Sequence, residues 1–447
     1  METTKICNKR PGVQLPSLND VQACGRRIAG VVKRTPVVRL GTHLVKLNHQ
    51  SVRVSRQKGS ECSSDSASVS DSTRDVSGEI EVFLKLENEQ HCGSVKSRSA
   101  ASYLSALEQR ADGDEALRRG VVTASTGNFG QSLAWLTKKK NIRCAVVVPD
   151  FTDAYRRALI KSAGADLVID VPFHEWWQCV ELATLCPSVA ARHPEIADMH
   201  FVSQVSPECI AGDATVADEI FADVNNIDAV VVPYGFGSFS CGTGVVAKQR
   251  SRGTRVVAVE IETSSPFRNA LVAGKPYRCT HTPSFVSQLG GQMALPTIWD
   301  QINSENGLIT DSAVVQLEQV AEAMRVLKRN HDIVAEGSGA ASLAAVLSGQ
   351  AGRGRVVCVI TGGNVERDMM ADIMTGGLPP AGLPIPPAIG GLPPAGMPIP
   401  PVMSSSALIW EPSEDTDDRN KAMTSATSQT AASISRSNAQ PVPEVAS

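Results

Sequence analysis

Short runs of β-branched and other apolar residues recur through the middle of this chain: Glu81-Val-Phe-Leu-Lys-Leu, Val121-Val-Thr-Ala, Cys144-Ala-Val-Val-Val, Leu167-Val-Ile, Ala229-Val-Val-Val, Arg255-Val-Val-Ala-Val and Arg355-Val-Val-Cys-Val-Ile. Between them the apolar period lengthens to that of a helix, at residues 96–109, 130–139, 154–162 and 210–224. A run that is apolar at consecutive positions has no solvent face, so it predicts a strand covered on both sides. Strands alternating with helices predict an α/β fold with mostly parallel sheets. Such sheets bind ligands at the carboxyl ends of their strands, so the turns that follow the runs are where chemistry is sought.

Length and composition allow a sizeable globular protein. The 447 residues can bury a large core, 42% of them are hydrophobic and 20% charged, and the formal charge of -3 is near balance. That balance argues against a nucleic-acid surface, and no stretch is long enough to span a bilayer. Residues 1–12 mix Lys5, Lys9 and Arg10 with polar residues and hold no apolar run of the secretory kind. The 11 cysteines show neither a CxxC pair nor a regular spacing, so no zinc cage or disulfide framework is predicted and a reducing, cytoplasmic setting is expected.

Two segments break the rhythm. Residues 50–79 are serine-rich with almost nothing apolar to bury, which predicts a disordered insertion. From Gly376 the chain reads Gly-Gly-Leu-Pro-Pro-Ala-Gly-Leu-Pro-Ile-Pro-Pro and repeats this from Gly390 with Met for Leu, before a Ser/Thr/Ala-rich stretch. Proline at this density favours polyproline II, so residues 376–447 are expected to form a solvated tail, or a docking segment for a proline-recognising partner. The expected partition is 15–49, 80–117 and 200–375 for a large domain, and 118–199 for a small one.

Four turns carry unusual residues. After the first run, Gly93-Ser-Val-Lys96 places a lysine just inside a helix start, where the dipole favours the neutral amine that can form an imine with an aldehyde. A solvated surface lysine is the alternative. The second, Ser125-Thr126-Gly127-Asn128, offers hydroxyls, backbone donors and a side-chain amide suited to a carboxylate and a phenolate oxygen; helix capping by Ser125 or Thr126 explains it as well. The third, Gly235-Phe236-Gly237-Ser238, lets backbone approach a phosphate at a helix start, yet it is neither a P-loop nor a dinucleotide fingerprint, and an ordinary tight turn competes. The fourth, Thr361-Gly-Gly-Asn364, ends the last run with a hydroxyl able to meet a ring nitrogen, or is a plain turn.

Taken in order with Leu18-Asn-Asp-Val and Arg34-Thr-Pro-Val-Val-Arg-Leu, these turns resemble the fold-type II pyridoxal-phosphate family, especially its serine/threonine dehydratases (ammonia-lyases) and serine racemases. The resemblance runs from Leu18 to Asn364 apart from the serine-rich insert. It implies an α/β fold of two twisted, mostly parallel sheets with flanking helices, and pyridoxal 5'-phosphate between a large and a small domain, carried as a Schiff base by Lys96. It also implies a substrate-carboxylate loop at Ser125, Thr126 and Gly127, with Asn128 on the cofactor. The phosphate loop falls at Gly235, Phe236, Gly237 and Ser238, and Thr361 at the pyridine nitrogen. Gly212-Asp-Ala-Thr215 and Glu336-Gly-Ser-Gly-Ala340 match family stretches to which only shaping roles are assigned. A homodimer acting on a small amino acid is expected.

Departures bear on the reaction. Val95 replaces an aromatic residue, Phe129 stands where dehydratases commonly have histidine, and Phe236 and Ser238 interrupt a glycine run. Thr126 gives a form closer to threonine synthases, and Ser287-Gln-Leu-Gly-Gly-Gln-Met resembles diaminopropionate ammonia-lyases. Of a family metal site Glu260 matches one ligand, but Pro266 falls where a second carboxylate belongs, so no metal is predicted. Trp176 and Trp177 lie on an expected helix and read as packing. A neutral Thr361 at the ring favours β-elimination over transamination, so the expected activity is deamination of L-serine or L-threonine to a 2-oxo acid and ammonia. The rival readings are a racemase, a lyase or synthase for another β-substituted amino acid, and a non-catalytic scaffold.

Overall fold

A computed structural model describes residues 14–41, 80–303 and 307–387. The serine-rich insertion expected at 50–79 and the tail from 388 onward lie outside the described residues. Ten strands are present among the described residues: β1 (Val37–Arg39), β2 (Ile80–Leu86), β3 (Val121–Ala124), β4 (Cys144–Pro149), β5 (Leu167–Val171), β6 (His200–Phe201), β7 (Ala229–Pro233), β8 (Arg255–Ile261), β9 (Asp311–Val315) and β10 (Gly354–Ile360). They form a six-stranded sheet in the order β1-β2-β10-β7-β8-β9 and a four-stranded sheet in the order β5-β4-β3-β6. Only β1 runs antiparallel to its neighbour, with Val38 opposite Leu84; every other pairing is parallel.

The apolar runs explain this arrangement. Each position of β3, β4 and β7 is buried, as strands with helices on both faces require. A buried valine or isoleucine contributes about 1.5–3 kcal/mol, so the consecutive valines at 146–148 and 230–232 anchor the two sheets. No helix among the described residues is long and apolar enough to cross a membrane.

A buried ionic cluster fixes the helix Lys96–Leu107. Arg98, 1% exposed, spans Glu87 (Nε to Oε2, 2.9 Å; Nη2 to Oε1, 2.8 Å) and Glu219 (Nη1 to Oε1, 2.8 Å). Lys85, on β2, donates to the Thr35 carbonyl at 2.7 Å and also pairs with Glu219. β2, this helix and the helix Pro207–Asp223 are thereby held together, with Lys96 at the end of the clamped segment. Removing one member of such a cluster costs about 3–5 kcal/mol because a buried charge is left uncompensated.

The start of the proline-rich segment departs from the expected solvated tail. Ile385 exchanges backbone hydrogen bonds with His281 (2.7 and 3.0 Å), the Gly382 N–H donates to the Pro283 carbonyl at 2.7 Å, and Gln292 Nε2 donates to the Pro386 carbonyl at 2.9 Å. The Ile385 side chain packs on the apolar cluster around Phe173, Trp176 and Trp177. The physical reason lies within the repeat: glycine and isoleucine between prolines keep their N–H donors, and proline carbonyls still accept.

Candidate active site

Four strand ends face one cavity. It is lined by Ser94, Val95 and Lys96 after β2, by Ser125, Thr126 and Asn128 after β3, by Gly235 to Ser238 after β7 and by Thr361 after β10. Of the residues expected at the site, only Gly127 stays out of the lining. It lies beneath Gln288, whose Nε2 is 2.8 Å from where a Cβ would stand.

Lys96 opens its helix and is 22% exposed at its side chain. The turn before it is stitched to the end of β10: the Val95 N–H donates to the Thr361 carbonyl at 2.9 Å, and the Gly363 N–H to that of Gly93 at 2.9 Å. Where the sequence predicts an amine facing a helix start alone, the structure gives it an anionic partner. Asp213 Oδ2 stands 3.0 Å from Lys96 Nζ and also accepts from Ser238 Oγ at 3.0 Å.

Ser125 does cap the second loop: its Oγ accepts from the Gly127 and Gly130 N–H groups at 3.2 and 3.1 Å. Thr126 keeps its hydroxyl for the cavity. Asn128 donates one amide N–H to Glu336 Oε1 at 2.6 Å and accepts from Asn364 Nδ2 at 2.9 Å, leaving a second N–H. Burial pushes the Glu336 carboxyl up, opposed first by the Arg156 guanidinium, whose Nη1 stands 3.5 Å away, then by Asn128 and Ser338.

In the third loop Gly237 has φ +89° and caps the helix Ser238–Arg250. A Cβ there would stand 2.6 Å from Ile298 Cγ2 and 3.0 Å from the Tyr234 hydroxyl, so backbone alone fits. Phe236 packs edge-on to Trp177 at 6.0 Å and tilted to Trp176 at 6.1 Å, which gives the aromatic interruption of the glycine run a wall to rest on. Trp176 and Trp177 are buried, and Trp176 also lines the cavity. Thr361 lies 3.5 Å from the Ser338 carbonyl.

Residues 71–362 match the family described as pyridoxal-phosphate dependent enzyme. The chain belongs to this family. It is similar to an L-threonine ammonia-lyase of Thermotoga maritima, 28% identical over 289 residues that cover 64% of this chain and 68% of that one. A serine racemase of Dictyostelium discoideum is 28% identical over 301 residues, covering 64% and 85%. The crystal structure of serine racemase from Dictyostelium discoideum superposes with a TM-score of 0.60 at 24% identity, over 78% of this chain and 99% of that one, a likeness of fold. The architecture is therefore that of fold-type II pyridoxal-phosphate enzymes.

The cavity of this pyridoxal-phosphate dependent enzyme fits its cofactor. It joins an amine, a helix start that admits only backbone, a neutral hydroxyl and an amide with a spare donor. Two buried polar atoms on its wall, Ser287 Oγ and Gln288 Nε2, have no hydrogen-bond partner among the described residues. Such atoms are costly unless a ligand or water meets them.

Some residues at the cavity were given no role from the sequence, as Ser287 and Gln288, or a shaping role alone, as Glu336 and Asp213. Ser287, Gln288 and Glu336 line it, and Asp213 holds Lys96. The signal for the first two was the Ser287-Gln-Leu-Gly-Gly stretch, which carries polar side chains beside adjacent glycines. Glu260 caps a helix start. Its carboxylate accepts from the Phe267 and Arg268 N–H groups (2.8 and 2.7 Å) at the start of the helix Pro266–Ala273. No cluster of three metal-ligating side chains occurs among the described residues.

Proposed function

We propose that this enzyme deaminates L-serine or L-threonine by β-elimination, releasing ammonia and a 2-oxo acid, with pyridoxal phosphate on Lys96. The observation that carries the reading is the convergence of Lys96, the Ser125–Asn128 loop, the Gly235–Ser238 helix start and Thr361 on one cavity. When bound, the cofactor supplies an electron sink for negative charge at the substrate's α-carbon.

The chain's own residues do the rest. Backbone donors at Gly235, Phe236, Gly237 and Ser238 would hold the phosphate, and the spare N–H of Asn128 the ring oxygen. Thr361 would meet the ring nitrogen as a neutral partner, which does not maintain a positive charge there and so disfavours transamination. Thr126 and the neighbouring backbone would orient the substrate carboxylate, in a loop whose shape Ser125 maintains. Lys96 Nζ would take the α-proton and return it to the departing hydroxyl, which leaves as water. Gln288, Leu289 and Gly290 line the same cavity and would limit the water around these steps.

Deamination is favoured over racemisation by what lines the cavity. Among the described residues, Lys96 and Glu336 are the ionisable side chains of its lining, and Glu336 already accepts from Asn128 and Ser338. A racemase needs a proton acceptor on each face of the substrate, and the hydroxyls of Thr126 and Ser287 are poor ones. The test is to incubate purified protein with single amino acids and measure ammonia, 2-oxo acid and the chirality of what remains. Matching ammonia and 2-oxo acid from L-serine or L-threonine is expected. D-amino acid without 2-oxo acid, or no turnover of any β-substituted amino acid, contradicts the proposal.

A further inference from the structure

We infer that Asp213 is the positioning partner that makes Lys96 an effective base: it aims the amine and receives the charge the amine acquires with the substrate's α-proton. The inference rests on the proposed β-elimination and deepens it. Asp213 lies on the helix Pro207–Asp223, is 0% exposed, and reaches Lys96 Nζ at 3.0 Å through Oδ2. Its other oxygen, Oδ1, is buried without a hydrogen-bond partner among the described residues. A desolvated carboxylate half-satisfied in this way costs several kcal/mol that packing alone would eliminate by substituting an apolar residue. A cost retained beside the reacting amine points to a role in the reaction.

The surroundings leave Lys96 as the natural counter-ion. The thiols that feel the Asp213 charge, Cys24 and Cys209, are both pushed up by burial and carry no charge of their own at neutral pH. Arg98, nearby, is committed to Glu87 and Glu219. Ser238 Oγ pins the carboxylate at 3.0 Å and ties it to the glycine loop, so amine and helix start are set by one group.

In the step itself the Lys96 lone pair forms an N–H bond as the Cα–H bond breaks, and the electron pair stays with the substrate. Lys96 becomes an ammonium beside a carboxylate already in place, so charge forms where its partner waits. When that ammonium gives its proton to the leaving hydroxyl, water departs and the neutral amine is restored. Protons and charge balance with no further reactant.

The test compares wild type with Asp213→Asn, Asp213→Glu and Asp213→Ser as full-length chains. After removal of bound cofactor, Lys96 is trace-labelled with an amine-acylating reagent at pH 7 and quantified by peptide mass spectrometry against Lys140 and Lys161. Loss of the carboxylate should speed Lys96 labelling about tenfold or more, since the amine then loses the charged hydrogen-bond acceptor that engages it at 3.0 Å. Asp213→Glu should stay near wild type, and Asp213→Ser provides a second charge-free variant if the amide unfolds. In the loaded enzyme Asp213→Asn should lower kcat about 10–100-fold with KM within about threefold, and raise the isotope effect with α-deuterated substrate. Equal labelling in wild type and both charge-free variants overturns the inference, whatever the turnover. Faster labelling of the charge-free variants, in a protein whose wild type turns over no amino acid, would leave only the Asp213–Lys96 pairing standing and overturn its part in catalysis together with the lyase reading.

Discussion

Gly237 and Gly235 sit two residues apart in the same loop, yet alanine should affect them in opposite ways. At Gly237 the backbone is left-handed, which costs a residue with a Cβ about 1–2 kcal/mol. The added methyl would also stand 2.6 Å from Ile298 Cγ2, on a side chain that is 0% exposed and has nowhere to move, adding about 1–3 kcal/mol of overpacking. Gly237→Ala should therefore destabilise by about 2–5 kcal/mol, a fall in Tm of about 4–10 °C for a chain of this size. At Gly235 no such backbone restriction applies and the nearest atom to a Cβ is the Gln288 carbonyl at 3.4 Å, ordinary contact. Gly235→Ala should keep its Tm without cofactor but lose cofactor affinity, because its methyl enters the space proposed for phosphate. Thermal unfolding of the cofactor-free proteins, with pyridoxal phosphate titrations followed by absorbance, separates the two effects. Equal Tm values for Gly237→Ala and wild type would refute the packing argument; undiminished cofactor binding by Gly235→Ala would refute the placement of the phosphate.

Other outcomes follow from the same geometry. A chain ended at Thr375 should unfold at a lower temperature and show a higher KM than one ended at Pro387, because residues 382–386 hold His281, Pro283 and Gln292 at the ends of the segment that lines the cavity; identical Tm and KM would show that this contact is dispensable. Burial pushes the His281 imidazole down to about 4, below its ordinary 6.5. Its contribution is therefore present above pH 6.5 and is lost, by up to about 3 kcal/mol, as pH falls toward 4, a slope that His281→Gln should remove in denaturant titrations at several pH values. Burial pushes Glu260 the other way, up to about 8. Its stability contribution is full below about 4.5 and is lost as pH rises through 8, so Glu260→Gln should remove the fall in stability between about pH 4.5 and 8.

The apolar runs made most of the fold legible, because consecutive buried valines have few other uses. The strands missed were β1, β6 and β9, which are short or edge elements: His200–Phe201 has two residues, and Asp311–Val315 begins with two polar ones. Their membership is decided by pairing partners rather than by local pattern. The candidate site divides in the same manner. Lys96, Thr126, Asn128, Gly235, Gly237 and Thr361 occupy turns after recognisable strands, so topology alone directed attention to them. Asp213 lies in the Gly212-Asp-Ala-Thr215 stretch that the sequence marked only for shaping, and its pairing with Lys96 was hidden because the two are 117 positions apart. Arg98, which clamps the same helix, was hidden for the same reason. At the end of the core, proline density obscured the backbone donors of Gly382 and Ile385, so a boundary at Gly376 falls ahead of residues that still pack on the core.

The central claim is that Lys96 carries the cofactor in the cavity where these loops meet. Purified protein should be yellow, and borohydride reduction followed by proteolysis and mass spectrometry should find the reduced pyridoxyl group on the peptide containing Lys96, and none after Lys96→Ala. Cofactor fixed to a different lysine, or a colourless protein that takes up no added pyridoxal phosphate, would contradict it.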